Sequence, residues 1–581
     1  MNKINIYKNT PLHNAAENYM YLSSDLYDLI TNKKININDE NTNRDTALII
    51  ACRNANSDIA LQLLKIEGIE VNSSCFYSDS PLILSCKNKM KYIASELLKR
   101  KDIDVNHINK YGNTALLYSS KNKMKHIALE LLKRKDIDVN HINKYGNTAL
   151  HIACINNMPE VAFELLKIER INVNDINING FTALQAVCGN NMTEVASELL
   201  KRKDIDVNHI NKYGNTALLY SSKNNMSNIC LKILKKENIN INIKDKDGNT
   251  ALHYGCKNNM IAVPLKMLKQ KRINVNIQDK HGYTALHIAC KNKMLKVALK
   301  ILKKEGINVN IQDICGITPL IMACDNNMEE TALELLKIED INVNLQDRFG
   351  ITPLILSCDN NMEETALKLL EREDVDVNLQ ARFGFTPLMA ACINMESIAL
   401  KLLERPEIDV NSKDYFNYTA LMYACRKGNS NIALQLLKTE GIEVNLQDES
   451  YNGKTALHYS CINKMENVVL ELLKKEGIDV NIKDNCGKTV LDYACENEMD
   501  SVILTILERF GSDENTRSYA QEYKQTQTIS EECTICLCDK ICDTLLIHTD
   551  TLSCHSCCIE CYDMLPDNKC HYCRENIDYI I

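Results

Sequence analysis

Gly282-Tyr283-Thr284-Ala285-Leu286-His287-Ile288-Ala289-Cys290 opens a unit that closes on Ile301-Leu302-Lys303-Lys304-Glu305-Gly306-Ile307-Asn308-Val309-Asn310. The Thr of its Thr-Ala-Leu triplet is a phase marker. Fifteen such markers run from Thr10 to Thr489, with Ser80 once in place of Thr, and the spacing is 34 residues in all but three steps. Self-similarity at a fixed period of this size means stacked supersecondary units. Each unit repeats one grammar. Lys144-Tyr145-Gly146-Asn147 is a polar turn, a short helix runs from Thr148 to Cys154, and Asn156-Asn157-Met158 breaks it. Asn suits the left-handed conformation that closes a helix. A second helix ends on Leu165-Leu166-Lys167, and an Ile-x-Val-Asn stretch leads to the next turn. Two short antiparallel helices cannot bury their apolar faces alone, so stacking must supply the core. The pattern predicts a mostly α solenoid over residues 1–510.

Residues 282–290 resemble the Gly-x-Thr-Pro-Leu-His-x-Ala-Ala stretch of the ankyrin repeat, and residues 301–310 resemble its Leu-Leu…Val-Asn close. The extra residue of the 34 falls between the second helix and Val-Asn. Where the family places Gly-His after the first helix, this chain mostly has Asn-Met, and Gly428 restores the Gly once. The repeat after Thr386 lacks one residue just before Met395, which accounts for a shorter step. Ser95 to Asn122 recurs unchanged as Ser197 to Asn224, an internal duplication whose residues need not each be functional.

The net charge of −8 offers no basic field for nucleic acid. No run of 18 or more apolar residues is present to span a membrane. Met1-Asn2-Lys3-Ile4-Asn5 opens no secretory apolar region. These features lead us to expect an intracellular protein, where thiols stay reduced and clustered cysteines favour metal over disulfide. The absence of Trp and the abundance of Asn, Ile and Lys look like an AT-rich coding bias.

Within the repeats, Cys recurs six residues after the marker, as at Cys52, Cys154, Cys290 and Cys461. Ala16, Ser120 and Ser222 share the phase, so the position asks for a small buried side chain rather than a metal ligand. His three residues after the marker (His13, His151, His253, His287, His458) resembles the family's Thr-Pro-Leu-His, where the ring ties loop backbone. The Met after each Asn pair is expected between helices. The turn tips carry Lys110-Tyr111, Lys144-Tyr145, Lys212-Tyr213, Arg348-Phe349, Arg382-Phe383 and Tyr415-Phe416. Aromatic plus cationic side chains are interface anchors, and a protein partner is expected along this edge of the concave face. The alternative is tip-to-tip packing with solvated charge. The array holds no Gly-rich phosphate loop, nucleophile elbow or His-Glu-x-x-His.

After Phe510 the grammar stops, and residues 511–530 read as a polar linker. The last 49 residues hold ten of the 26 cysteines. Cys533-x2-Cys536, Cys554-His555-x2-Cys558-x2-Cys561 and Cys570-x2-Cys573 supply four ligand pairs, enough for two tetrahedral Zn²⁺ ions. A segment this short needs such staples to hold a core. The order of pairs resembles the RING finger, a small α+β domain, and assigns residues 531–581 to it. By that resemblance, Cys533 and Cys536 would share an ion with Cys558 and Cys561. Cys554 and His555 would share the other with Cys570 and Cys573. Two departures stand out: His571 replaces the family's Pro, and Cys554 and His555 are adjacent, so His548 or Cys557 could substitute. Cys538 and Cys542 are spare.

RING domains act mainly as ubiquitin ligases that hold a ubiquitin-charged conjugating enzyme in a reactive pose, with no catalytic residue of their own. Ile535 and Leu565 match the family's apolar docking positions, and Arg574 matches the Arg that bridges ubiquitin to the conjugating enzyme. The resemblance thus implies a RING-type ubiquitin-protein ligase with an ankyrin substrate-binding array. The alternative is a non-enzymatic adaptor whose zinc tail is structural or mediates self-association. A long array with this bias and a terminal RING also resembles proteins of large DNA viruses, which would place it in host cytoplasm.

Overall fold

The computed structural model describes residues 9–17, 35–449 and 452–510, together with the backbone of three short strands, Thr544–Ile547 (β1), Cys554–Cys557 (β2) and Tyr579–Ile580 (β3). The chain divides into two units, Met1–Ile307 and Asn308–Ile581. Each is built from the same helix pair.

The repeat marked by Thr148 shows how sequence sets that pair. Thr148 is extended (φ −90°, ψ 172°), and its hydroxyl accepts from the backbone N–H of His151, capping the helix Ala149–Ile155. Such a cap is worth about 1 kcal/mol. Asn156 closes the helix, and Asn157 takes the left-handed conformation (φ 55°). Met158 then sits at the mouth of the second helix, Pro159–Leu166, nearly buried. The left-handed step recurs at Asn191, Asn225, Asn259, Asn327 and Asn361, and at Gly428. The repeat after Thr386 lacks it. There, the single non-helical residue Met395 (φ −140°, ψ 87°) separates helix Pro387–Asn394 from helix Glu396–Leu403. The deletion therefore removed the left-handed residue, and Met395 alone turns the chain between these helices.

The core of each repeat is narrow and continuous with its neighbours. In the first unit Leu150, Cys154, Val161, Leu165, Ile171 and Val173 are essentially buried, and Leu335, Leu369, Leu402 and Leu436 recur at the Leu165 position in the second. Burying each such side chain contributes about 2 kcal/mol.

Two asparagine ladders hold neighbouring repeats together. The Asn of Val-Asn bridges to the next turn. Asn140 donates from Nδ2 to the carbonyl of Arg170 (2.8 Å), and its Oδ1 accepts from the N–H of Asn172 (2.9 Å). The same pair of bonds is made by Asn106 and Asn208 in the first unit and by Asn344 and Asn411 in the second. The Asn that follows the first helix reaches back one repeat. Asn122 donates to the carbonyls of Cys86 and Lys87, both at 2.9 Å, satisfying the open end of the previous helix. The abundance of Asn thus has a structural use that coding bias does not describe.

In the second unit, β1 pairs antiparallel with β2 and with β3, in the order β2-β1-β3.

Candidate protein-binding edge

Most tips are Asx turns, the exceptions including those that open on Cys75 and Ala381. Asn109 Oδ1 accepts the amides of Tyr111 (3.0 Å) and Asn113 (2.9 Å), and Gly112 carries the left-handed φ of 71° that closes the turn. At Gly146 a Cβ would stand 2.7 Å from the backbone of Asn177, so glycine is required by close approach as well as by φ. Successive tips are joined by single backbone bonds. Lys110 N–H donates to Tyr77 O (2.9 Å) and Lys144 N–H to Tyr111 O (3.1 Å) in the first unit. Arg348 N–H donates to Cys315 O (2.7 Å) and Glu449 N–H to Phe416 O (2.8 Å) in the second.

Backbone packing of tip on tip therefore occurs, yet it leaves the aromatic side chains outside. Tyr111, Tyr145, Tyr213, Phe349, Phe383, Tyr415 and Phe416 are all exposed. Cations lie over several rings: Lys110 over Tyr77 and Lys246 over Tyr213 in the first unit, Arg348 over Phe349 and Arg382 over Phe383 in the second.

A stripe that the sequence pattern did not single out lies beside these tips in the first unit. Ile108, Ile142, Ile176 and Ile210, six residues before their markers, are each about half exposed. In the four repeats marked by Thr284, Thr318, Thr352 and Thr386 the same phase is Gln, and Gln346 donates to the carbonyls of Gly350 (2.8 Å) and Gln380 (3.1 Å). The Ile residues forgo those bonds and show apolar surface instead. The signal available in sequence was Ile at one phase in four successive repeats, followed by Lys244 and then by Gln in four more.

The cysteine and histidine phases are structural. Cys52, Cys86, Cys256, Cys290, Cys358 and Cys461 are fully buried, and burial pushes their thiols up to about 12. A thiol held protonated is neither nucleophile nor ligand. Cys495 departs from the pattern and is half-buried. Among the described residues, no group of three or more His, Cys, Asp or Glu is placed to hold a metal ion. His151 Nδ1 accepts the N–H of Thr148 (3.3 Å), and Nε2 meets the carbonyl of Phe181 (3.0 Å), which requires the neutral Nε2–H tautomer. Burial lowers the pKa of His151, His253 and His458, each countered by its carbonyl bond or a nearby carboxylate. Gln185 fills the same place in its repeat, accepting from Thr182 N–H (3.1 Å) and donating to His209 O (2.7 Å) and Asn215 O (2.9 Å).

Of the expected zinc ligands, Cys554 and His555 lie in β2, opposite Ile547 and Leu546 of β1. Cys533, Cys536, Cys558, Cys561, Cys570 and Cys573 lie outside the described residues, as do Ile535, Leu565 and Arg574. So does the expected linker, residues 511–530. Among the described residues, no helix is long and apolar enough to cross a membrane.

These features define a helical-repeat scaffold with an exposed aromatic and cationic edge, a class that works by binding other proteins. The family model described as ankyrin repeats in three copies matches residues 82–177, 163–245, 221–313, 298–381, 368–448 and 421–518, well over half of the chain. The chain belongs to the ankyrin-repeat family. Comparison with curated proteins returns no match.

Proposed function

We propose that the chain is a RING-type ubiquitin-protein ligase. Its array, residues 1–510, holds the protein to be modified. Residues 511–530 link it to a zinc-binding domain, residues 531–581, that recruits a ubiquitin-charged conjugating enzyme. The observation that carries this is the eight-ligand pattern of the tail, seven thiols and one imidazole in four pairs, attached to an array built for protein binding. That donor set suits two structural zinc ions with no open coordination position. Bound zinc would supply folding energy on the order of 10 kcal/mol to a segment too short to hold a core alone.

Cys533, Cys536, Cys558 and Cys561 would hold one ion, and Cys554, His555, Cys570 and Cys573 the other. Ile535 and Leu565 offer apolar contact to the conjugating enzyme, and Arg574 offers a planar set of donors to ubiquitin. No residue of this chain forms a covalent bond. The gain in rate comes from holding two reactants in register. A host-cytoplasmic setting, with an origin in a large DNA virus, belongs to the same proposal.

The test is autoubiquitination by the full chain with a panel of conjugating enzymes. Activity that falls at least tenfold on Ile535→Ala and on Arg574→Ala supports the proposal. Silence across the panel would sink it. Self-association that survives Arg574→Ala but not chelation would assign the tail to a non-enzymatic adaptor instead.

A further inference from the structure

The second unit carries one tip cluster unlike the rest of the array. The Arg348 guanidinium lies 4.6 Å from the centre of the Phe349 ring, and that of Arg382 lies 5.1 Å from Phe383. Phe383 meets Tyr415 edge-on at 5.6 Å, and Tyr415 meets Phe416 edge-on at 5.2 Å. Phe383, Tyr415 and Phe416 thus form a run of three touching rings on two adjacent tips, and the Arg348–Phe349 pair lies on the tip before them, joined by the backbone bond from Arg382 N–H to Phe349 O.

Folding of the array does not account for this patch. Phe383 is 59% exposed and Tyr415 66%. Rings left in water forgo roughly 1.5–3 kcal/mol of burial each. Phe383 also holds a left-handed backbone (φ 71°, ψ 18°). Bulky side chains avoid that region at a cost of roughly 1–2 kcal/mol. The equivalent Phe349 and Phe416 do not adopt it. In their tips only the following residue, Gly350 or Asn417, is left-handed. Asp347 and Asp414 accept the amides of Phe349 and Phe416 and fix those turns, whereas Ala381 offers Phe383 no such acceptor, so its ring is presented from a differently turned tip. The two arginines complete the pattern. Elsewhere in this unit Arg372 is paired with Asp374 and Arg405 with Glu407. Among the described residues, neither Arg348 nor Arg382 has an acidic partner. A guanidinium stacked on a ring keeps its N–H edge directed outward, in the geometry that takes both oxygens of a carboxylate.

The geometry points to a docking site for an acidic polypeptide segment with an apolar anchor. Its carboxylates pair with Arg348 and Arg382, and its apolar side chain covers Phe383 and Tyr415. This deepens the substrate-holding half of the proposed function and rests on it. A short acidic segment feels mainly charges within about 10 Å. A long polyanion would meet the full net charge of −8, which disfavours nucleic acid as the occupant.

The experiment uses the full chain and fluorescein-labelled peptides of constant Leu and Phe content, with the remaining positions filled by Glu, Gln or Lys. Fluorescence anisotropy should rank Glu above Gln above Lys, with at least tenfold between the first and last. The double variant Arg348→Gln with Arg382→Gln should remove that preference. Lysine at both positions should restore part of it, since Lys keeps the charge without the planar fork. Phe383→Ala should weaken the Glu and Gln peptides alike. No preference for Glu over Lys overturns the site, as does Glu-peptide affinity unchanged by the double glutamine variant. Binding of oligouridylate that the double variant abolishes, with no peptide preference, would overturn it in favour of a nucleic-acid surface. Autoubiquitination and zinc content report on the tail and not on these arginines. Failure of the docking site and failure of the ligase proposal are therefore read separately.

Discussion

Gln185 standing where five other repeats place a buried His shows what that position needs. It needs an acceptor for the marker's N–H and a donor to the next turn, and His provides both only in its neutral form. The folded state depresses the pKa of His151, His253 and His458 through burial. A depressed pKa contributes stability above the unfolded value of about 6.5, and that stability is lost as pH falls through the folded value. The urea midpoint should therefore drop between pH 7 and pH 5. Replacing all three histidines by Gln should flatten that slope while leaving the pH 7 midpoint nearly unchanged. The cysteine phase gives a second residue-level expectation. Ser120 occupies it with a buried hydroxyl that has no partner among the described residues, whereas Ser222 meets Cys230. Ser120→Ala should raise stability by about 1 kcal/mol in thermal or urea melts, and Ser222→Ala should raise it less. These roles were partly legible in sequence. Thr, His and Cys at fixed spacing announce a cap, a tie and a packing position. The Asn ladder was not legible, because each bond joins residues about 30 apart and its partner is backbone, which has no letter of its own.

Between repeats, the element that matters is the two-helix turn. Its left-handed residue is mostly Asn, Lys or Gly, is Ala55 and Glu498 in two repeats, and is absent after Asn394. Inserting Gly between Asn394 and Met395 should be tolerated, with a change in unfolding free energy within about 0.5 kcal/mol. Deleting Asn157 should cost more, because the flanking helices are set for the longer turn. Leu165→Ala in the core of its repeat should cost about 2–5 kcal/mol in urea melts. Cooperative loss of the neighbouring repeats should be visible in the same melts. The exposed Ile stripe and the Gln row that follows it were written in the sequence as a change of letter at one phase. What the letters do not state is that Gln at this phase binds two carbonyls, so that Ile there is a departure from the fold's own preference.

At the scale of the whole chain, two populations of cysteine serve two ends. Those of the repeats are mostly buried and held protonated. Those of the tail are paired at ligand spacing. A disulfide-exchange titration of the zinc-free native protein should therefore count thiols of the tail in its fast phase. The Cys52, Cys86 and Cys290 class should react only on unfolding. Metal analysis of the full chain should find two zinc ions, removed by chelator without loss of the array's helical signal. The period of the array was readable end to end because each repeat restates it. The tail was readable only as spacing, since which thiols would share an ion is decided in space.

The asparagine ladders also bear on how this protein ages. Deamidation begins when an Asn side chain swings to meet the next backbone nitrogen, and Asn140 is held by two bonds that oppose the swing. Once it occurs, the product is an aspartate whose oxygen faces the Arg170 carbonyl where an N–H had donated. The same locked geometry that slows the chemistry makes each event costly, so damage at one rung loosens the junction between two repeats rather than a single turn.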